Sequence, residues 1–357
     1  MKYRALAINP GSTSTKIAVF DDEKEVFSET LRHDAEKIEQ FDGIIDQFQF
    51  RKEIVLDALE KHDVKPESLE AVVGRGGLVR PVTGGTFKVS EKMLNHLKDP
   101  SYWGRIHASN LGAFISNSIA SEYNIPAFIV DPVTVDEFDD IARISGVPEI
   151  ERKSLFHALN IRFTARKVAK QLNKNFKDMN MIAVHMGGGI SVAPIKKGRV
   201  VDVNNALLGM GPFSPQRAGA LPIGDLLDLA YSGEYTKKEL TVKLAKKSGL
   251  LAYLGTDDGK KIQEDIEKGD KKSKLIFDAM IYQIAKEIGA SAAVLKGNVD
   301  AIILTGGLAY GDYLVNLIKE RTEFIAKVFV EPGENEMEAL CQGGIRVLKG
   351  EEEALDY

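Results

Sequence analysis

The sequence predicts an α/β protein built twice, with two halves of similar pattern around a central cleft. Two observations carry that expectation. The first is an internal echo. Near the start, LAINPGSTSTKIAVFD reads as strand, glycine-bearing hairpin and strand, and EVFSETL supplies a third strand. From Met181, MIAVHMGGGISVAPIKKGRVVDV reads as the same triplet, its third strand following a Lys-Gly turn. Asn9 and His185 hold the same place in the two copies, 176 residues apart in a chain of 357. The second observation is that each triplet leads into alternating helical and strand-like segments, the mark of mixed α/β layers.

Taken in order, the first half then offers a helix over 42–62, the strand LEAVVG, a helix over 110–123 and the strand AFIVD. The second half offers helices over 225–230 and 236–246, a long one over 271–296, the strand DAIILTGG, a helix after Gly311 and the strand KVFVEPG. Gly, Pro and charges interrupt the apolar periodicity in RISGVPEIERKS, residues 143–154, which sets the expected domains at 1–148 and 149–334. A final helix begins after the Pro-Gly stop at 332–333. It is too short for a domain, so residues 335–357 are expected to pack back, joining the N-terminal domain.

Bulk composition narrows the function. With 44% hydrophobic and 28% charged residues, the chain is that of an ordinary globular protein. A net charge of −5 and the lack of a long Lys/Arg run argue against nucleic acid as a partner. The apolar run after MKYR lasts four residues, far short of a signal-peptide core or a membrane span. A single cysteine, Cys341, leaves no internal disulfide and no cysteine-based zinc site, in keeping with a reducing cytoplasm. Cys341 sits in a helical pattern and is expected to be a packing residue.

Common nucleotide and hydrolase signatures do not match. GTDDGKK at 255–261 has the wrong spacing for a P-loop and no hydroxyl after its lysine. No dinucleotide fingerprint, H-E-x-x-H, G-x-S-x-G or protein-kinase set is present. Three glycine-rich turns remain, each at the C-terminal end of an expected strand: NPGSTSTK at 9–16, HMGGGIS at 185–191 and TGGLAYG at 305–311. One such turn is an ordinary hairpin corner. Three, two of them in equivalent places, point to phosphate, because glycine lets backbone N–H groups approach an anion and Ser/Thr hydroxyls with one lysine add donors. The residues concerned are Asn9, Ser12, Ser14 and Lys16 in the first turn, Gly187, Gly188 and Gly189 in the second, braced by His185, and Gly306 and Gly307 in the third.

These three turns resemble the first phosphate loop, second phosphate loop and adenosine loop of the superfamily of acetate and sugar kinases, heat-shock chaperones and actin (ASKHA). Within it, INPGSTSTK is similar to the opening motif of the acetate and butyrate kinases. VEPGENEMEAL, LGMGPFSPQRAGALP and LAYLGTDD resemble the butyrate branch, and the likeness runs from about residue 3 to 350. The resemblance implies two duplicated ribonuclease H-like (actin-like ATPase) domains with a central nucleotide cleft. It also implies reversible transfer of the γ-phosphoryl group of ATP to a short-chain carboxylate, giving ADP and an acyl phosphate.

Elementary chemistry agrees with such a site. A short-chain carboxylate is already ionised at neutral pH, so no general base is needed. The demand is to hold two anions together and neutralise spreading charge, which calls for arginines, a magnesium ion and a neutral donor. By resemblance, Arg75 in VVGRGG and Arg217 in SPQRAG are the active-site arginines, both catalytic and substrate-binding. His157 in SLFHALN stabilises the transferring group, and His107 in RIHASN belongs to the substrate pocket. Asp131 acts near the phosphoryl group or metal, and Glu338 is the metal-associated glutamate. With Asn9 they suffice for Mg²⁺, which keeps several waters.

Two departures stand out: GGG at 187–189 where acetate kinases carry Asn-Gly, and Asp257-Asp258 in a loop of different character. The family further implies a homodimer or larger assembly. Butyrate, isobutyrate, valerate and propionate all remain open as substrates, because one methylene is worth only ~1–3 kcal/mol in an apolar pocket. The rival among enzymes is an acetate or propionate kinase, and the rival of another class is a nucleotide-gated interaction protein of the chaperone or filament kind.

Overall fold

The structure is a computed structural model and describes residues 2–104 and 106–357. It divides into two units, one of residues up to Val135 together with Asn335–Tyr357, the other Asp136–Glu334.

In the first unit, Leu6, Ile8, Ile17 and Val19 alternate with Ala5, Ala7 and Ala18 along β1 (Arg4–Pro10) and β2 (Ser14–Asp21), making one face bulky and the other shallow. With β3 (Lys24–Arg32), β4 (Ala71–Arg75), β5 (Thr86–Lys88) and β6 (Ala127–Val130) they form a sheet of order β3-β2-β1-β4-β6-β5. β1 runs antiparallel to β2 and parallel to β4, and β4 runs parallel to β6. After the short α1 (Ala35–Ile38), α2 (Phe48–Lys61) and α4 (Leu111–Glu122) cover the bulky face, where Val55, Leu59, Leu111, Ile115 and Ile119 are buried. Cutting such a side chain to Ala would cost about 2–5 kcal/mol. α3 (Glu91–Lys98) buries Met93 and Leu97 in a smaller cluster with Phe87 and Ile129. The last helix, α13 (Glu336–Leu348), lies on β1, β2, β4 and β6. Cys341 is fully buried there with its thiol on the Ala5 carbonyl, a packing position whose burial pushes the thiol pKa up.

The second unit repeats the plan. β7 (Asn180–Met186), β8 (Ile190–Lys196), β9 (Arg199–Val200), β10 (Ala301–Gly306) and β11 (Val328–Pro332) form a sheet of order β11-β10-β7-β8-β9. In each sheet the first strand is flanked by an antiparallel hairpin partner and by a parallel strand reached through a crossover. Its helices are α5 (Asp140–Arg143), α6 (Ala158–Gln171), α7 (Ile223–Tyr231), α8 (Lys237–Lys246), α9 (Gly249–Leu254), α10 (Gly259–Glu267), α11 (Lys271–Val294) and α12 (Asp312–Thr322). Phe277, Met280 and Ile284 of α11 and Leu314 and Ile318 of α12 pack with Ile182, Val184, Ile302 and Leu304. α6 packs on β7 and β10, as α13 packs on β1 and β4.

The units part at Val135/Asp136, ahead of the expected 148/149. The reason lies in what Asp136–Asp139 touch: Asp139 N–H bonds the Val201 carbonyl, and the Glu137 carboxylate takes the Val200 N–H and the Arg162 guanidinium. The elements differ further. β9 has two residues where a longer strand was expected, β5 and the helices α1, α3, α5, α6 and α9 were not foreseen, and the DDG run opens a helix because Asp258 caps it.

Candidate active site

In parallel sheets, functional groups gather where strands end at their carboxyl edge. β1 ends in Asn9-Pro10 and β4 in Arg75, one residue beyond the Ile8–Gly74 pair. Both side chains converge on one carboxylate in the first turn of α13. Asn9 Nδ2 donates to Glu336 Oε2 at 2.6 Å, and Arg75 Nη1 donates to Glu336 Oε1. An acid in a first turn also meets the positive end of the helix dipole.

The carboxylate that Asn9 and Arg75 meet is Glu336, two residues before the expected Glu338. At about 100° per residue, positions two apart point to nearly opposite sides of a helix. In sequence Glu336 is one of an acidic string, although its place directly after Asn335, a residue type that favours helix starts, was a usable signal.

The loop from Gly11 to Ser14 leaves Ser12 exposed and Ser14 half-buried, while Lys16 is exposed and lies across the strand pair from Asn9. Asp131 comes directly after β6, is buried, and turns its carboxylate to the Gly85 N–H at 2.7 Å. His107 is exposed and caps the turn Ala108–Asn110, with Nδ1 2.8 Å from Ser109 Oγ. The structure thus brings Asn9 and Arg75 together, while Asp131 takes the Gly85 N–H and His107 the Ser109 N–H. No group of three or more metal-ligating side chains occurs among the described residues. Magnesium needs fewer, and it takes hard oxygens such as the Glu336 carboxylate and the side-chain oxygen at the other end of the Asn9 amide.

In the second unit the corresponding strand end carries a pair of imidazoles. His157 and His185 stack with centroids 3.9 Å apart and planes 15° from parallel. Asn160 Nδ2 donates to the carbonyls of Glu334 at 2.7 Å and Gly333 at 3.3 Å. Its Oδ1 must then face His185 Nδ1, 2.7 Å away, which makes that nitrogen the protonated one. His157 Nδ1 lies 2.8 Å from the hydroxyl of buried Ser191.

Beside them, Gly187–Gly189 form the β7–β8 turn, closed by Gly187 N–H to Gly189 O at 3.1 Å. A Cβ on Gly189 would lie 2.2 Å from Arg217 Nη1, so the third glycine is what lets the guanidinium pass. Arg217 donates to the Ala206 carbonyl, its Nε is buried without a hydrogen-bond partner among the described residues, and burial lowers its pKa. It stays a cation all the same. Ser214 Oγ receives the Arg217 N–H and donates to Gly188 O at 2.7 Å, tying the arginine loop to the glycine turn.

Gly306 has φ +88°, and a Cβ there would sit 2.4 Å from the Met186 carbonyl oxygen. This close approach sets the third turn against the second. Gly187, Gly188 and Gly307 line a cavity of about 880 Å³ with Tyr310, Tyr313 and the start of α10. Gln216 and Asp257, bonded at 2.6 Å, also line it, so the loop that departs in sequence belongs to the cavity wall.

Comparison with known proteins bears on this arrangement. The acetokinase family pattern matches residues 149–327. The chain is 55% identical over 355 residues to butyrate kinase 1 of Clostridium acetobutylicum, covering 99% of each chain. By structure it is similar to the acetate kinase of Porphyromonas gingivalis, with TM-score 0.80 and 18% identity over 97% of this chain and 100% of that one. It is also similar to a propionate kinase of Francisella tularensis, with TM-score 0.74 and 16% identity over 96% and 98%. Two ribonuclease H-like α/β units of matching strand order, together with these likenesses, establish that the chain belongs to the acetokinase family.

Proposed function

We propose that this protein transfers the γ-phosphoryl group of ATP to a short-chain carboxylate, with butyrate or a similar acid favoured over acetate and propionate. The observation that carries the proposal is the end-to-end 55% identity to a butyrate kinase. The glycine-lined cavity of the second unit supports it as the seat of ATP and ADP. The acid arrives as a carboxylate and attacks phosphorus in line, so the residues position groups and neutralise charge. Arg75 holds the carboxylate, and Arg217 takes the charge that builds on the phosphoryl oxygens. His157, held at Nδ1 by Ser191, turns Nε2 to the transferring group. Asn9, Ser12 and Ser14 line the phosphate loop, with Lys16 steadying the returning strand, and His185, Gly187, Gly188, Gly189, Gly306 and Gly307 shape the other two. Asp131 holds the loop at Gly85 in place. Asn9 and Glu336 would hold Mg²⁺, which offsets phosphate charge when bound. Hydroxamate formation from Mg-ATP, hydroxylamine and a series of acids tests this. Butyrate and isobutyrate should outpace acetate, and no hydroxamate from any acid while ATP is consumed would overturn it in favour of a nucleotide-gated interaction protein.

The homo-oligomer implied by the family has a physical counterpart. Ile223, Leu227 and Tyr231 of α7 are exposed at the edge of an apolar hollow, and α8 beside it carries Lys237, Lys238, Lys243 and Lys246. A second segment exposes Ile141, Ile144 and Ile150. Exposed apolar side chains of this kind suit a second copy of the chain as occupant. Light scattering should read a dimer or larger, and a monomer at micromolar concentration would remove this part.

A further inference from the structure

Beneath the first phosphate loop lies a charge that the mechanism above does not use. Arg51, in the first turn of α2, is fully buried, and its hydrogen-bond partners among the described residues are all neutral. Nη1 donates to the carbonyls of Gly11 at 2.7 Å and Ser14 at 3.0 Å and to Thr15 Oγ1 at 3.2 Å. Nη2 donates to Ser12 O at 3.0 Å. Nε and Nη2 share the Gln47 side-chain oxygen, at 3.1 and 2.8 Å. The remaining carbonyl of the loop, that of Thr13, takes the His33 N–H at 2.9 Å. All four carbonyls from Gly11 to Ser14 are thus held.

A trans peptide directs its N–H opposite to its C=O. With the Gly11 and Ser12 carbonyls drawn to the guanidinium, the N–H groups of Ser12 and Thr13 turn the other way, as an anion-binding nest requires. Burying an arginine without a carboxylate costs several kcal/mol, and a methionine would fill the same space without that cost. A fork of N–H donors under three carbonyls of one loop gives the arrangement a purpose. Gln47 stands where a glutamate would neutralise the cation. His33, whose ring touches Thr15 Oγ1, adds no charge of its own, its pKa being pushed down to about 4 by burial and by Arg51.

We propose that Arg51 is a positioning residue for phosphoryl transfer: it aims the N–H groups of the 11–14 loop at a nucleotide phosphate and supplies an uncompensated positive charge behind them. This rests on the kinase function proposed above. Two variants and one probe test it. Gln47→Glu keeps the geometry and gives the guanidinium a carboxylate, so the fold should hold or gain in Tm. Mg-ATP affinity by calorimetry should nevertheless fall about tenfold, the scale of one charge felt across a loop at protein-like screening. Arg51→Lys, which keeps charge but loses the fork, should bind Mg-ATP more tightly than Arg51→Met. Wild-type affinity in folded Gln47→Glu, or Arg51→Lys no better than Arg51→Met, would make Arg51 a core residue only and overturn the proposal. The two failures separate cleanly. A wild type that binds Mg-ATP but yields no hydroxamate sinks the carboxylate-kinase function and leaves the strut standing, whereas an active wild type with an unaffected Gln47→Glu sinks the strut alone.

Discussion

The ends of β1 and β7 are one position in two copies of a fold, yet their chemistry differs. At β1 the helix that comes after the other copy's last strand presents Glu336, and Asn9 and Arg75 close on it as an ionic cluster. At β7 the equivalent helix presents Asn160, which fixes the proton on His185, while His157 stacks alongside on Ser191. Where Arg75 ends β4, Thr305 stands in β10 and donates to the Gly333 carbonyl at 3.1 Å. The difference shows what the fold supplies and what the residues add. In both copies a helix start beside a strand end offers a polar side chain. A carboxylate there makes a site for charge, and an amide there makes a site for directed donors.

The largest expected effect comes from the donor side. Arg217→Ala should lower kcat by about a thousandfold, the scale of losing a transition-state charge donor, with the fold retained. Near-normal turnover in that variant would remove its assigned role. The ionic side is next: Glu336→Gln should cost about a hundredfold in kcat at low magnesium, while Glu338→Gln stays within about twofold. The reverse ranking would return the role to Glu338. Asn160→Leu should cost about tenfold through a mis-set His185, visible as a shifted pH–rate profile, and an unshifted profile would make Asn160 a simple helix residue.

The smallest effect is on stability. His33 is kept neutral in the folded state, with its pKa pushed from 6.5 down to about 4. Between those values the unfolded chain binds more protons, so stability is full above pH 6.5 and falls as pH drops toward 4. The urea midpoint should fall between pH 7 and pH 5, and His33→Asn should flatten that slope. An equal slope in the variant would place the titrating group elsewhere.

Much of this was legible in the sequence because it depends on local pattern. The three glycine turns, the strand triplets and the 176-residue echo arise from periodicity and from backbone that admits glycine. Cys341 reads as core because it sits in a helical pattern beside Leu340. What escaped depends on partners distant in sequence. Arg51 resembles any helix arginine until Gly11–Thr15, some forty residues earlier, folds over it. Glu336 and Glu338 are alike as letters, and helix phase against Asn9, 327 residues away, separates them. The domain break was missed because Glu137 and Asp139 declare their unit only through Val200 and Val201.

The most direct test of the central claim runs the reaction in reverse. Butyryl phosphate and Mg-ADP, supplied to the purified protein, should yield ATP by luciferase readout, with more from butyryl phosphate than from acetyl phosphate and little in Arg217→Ala. No ATP from either acyl phosphate, in a protein that still binds Mg-ADP, would contradict the account.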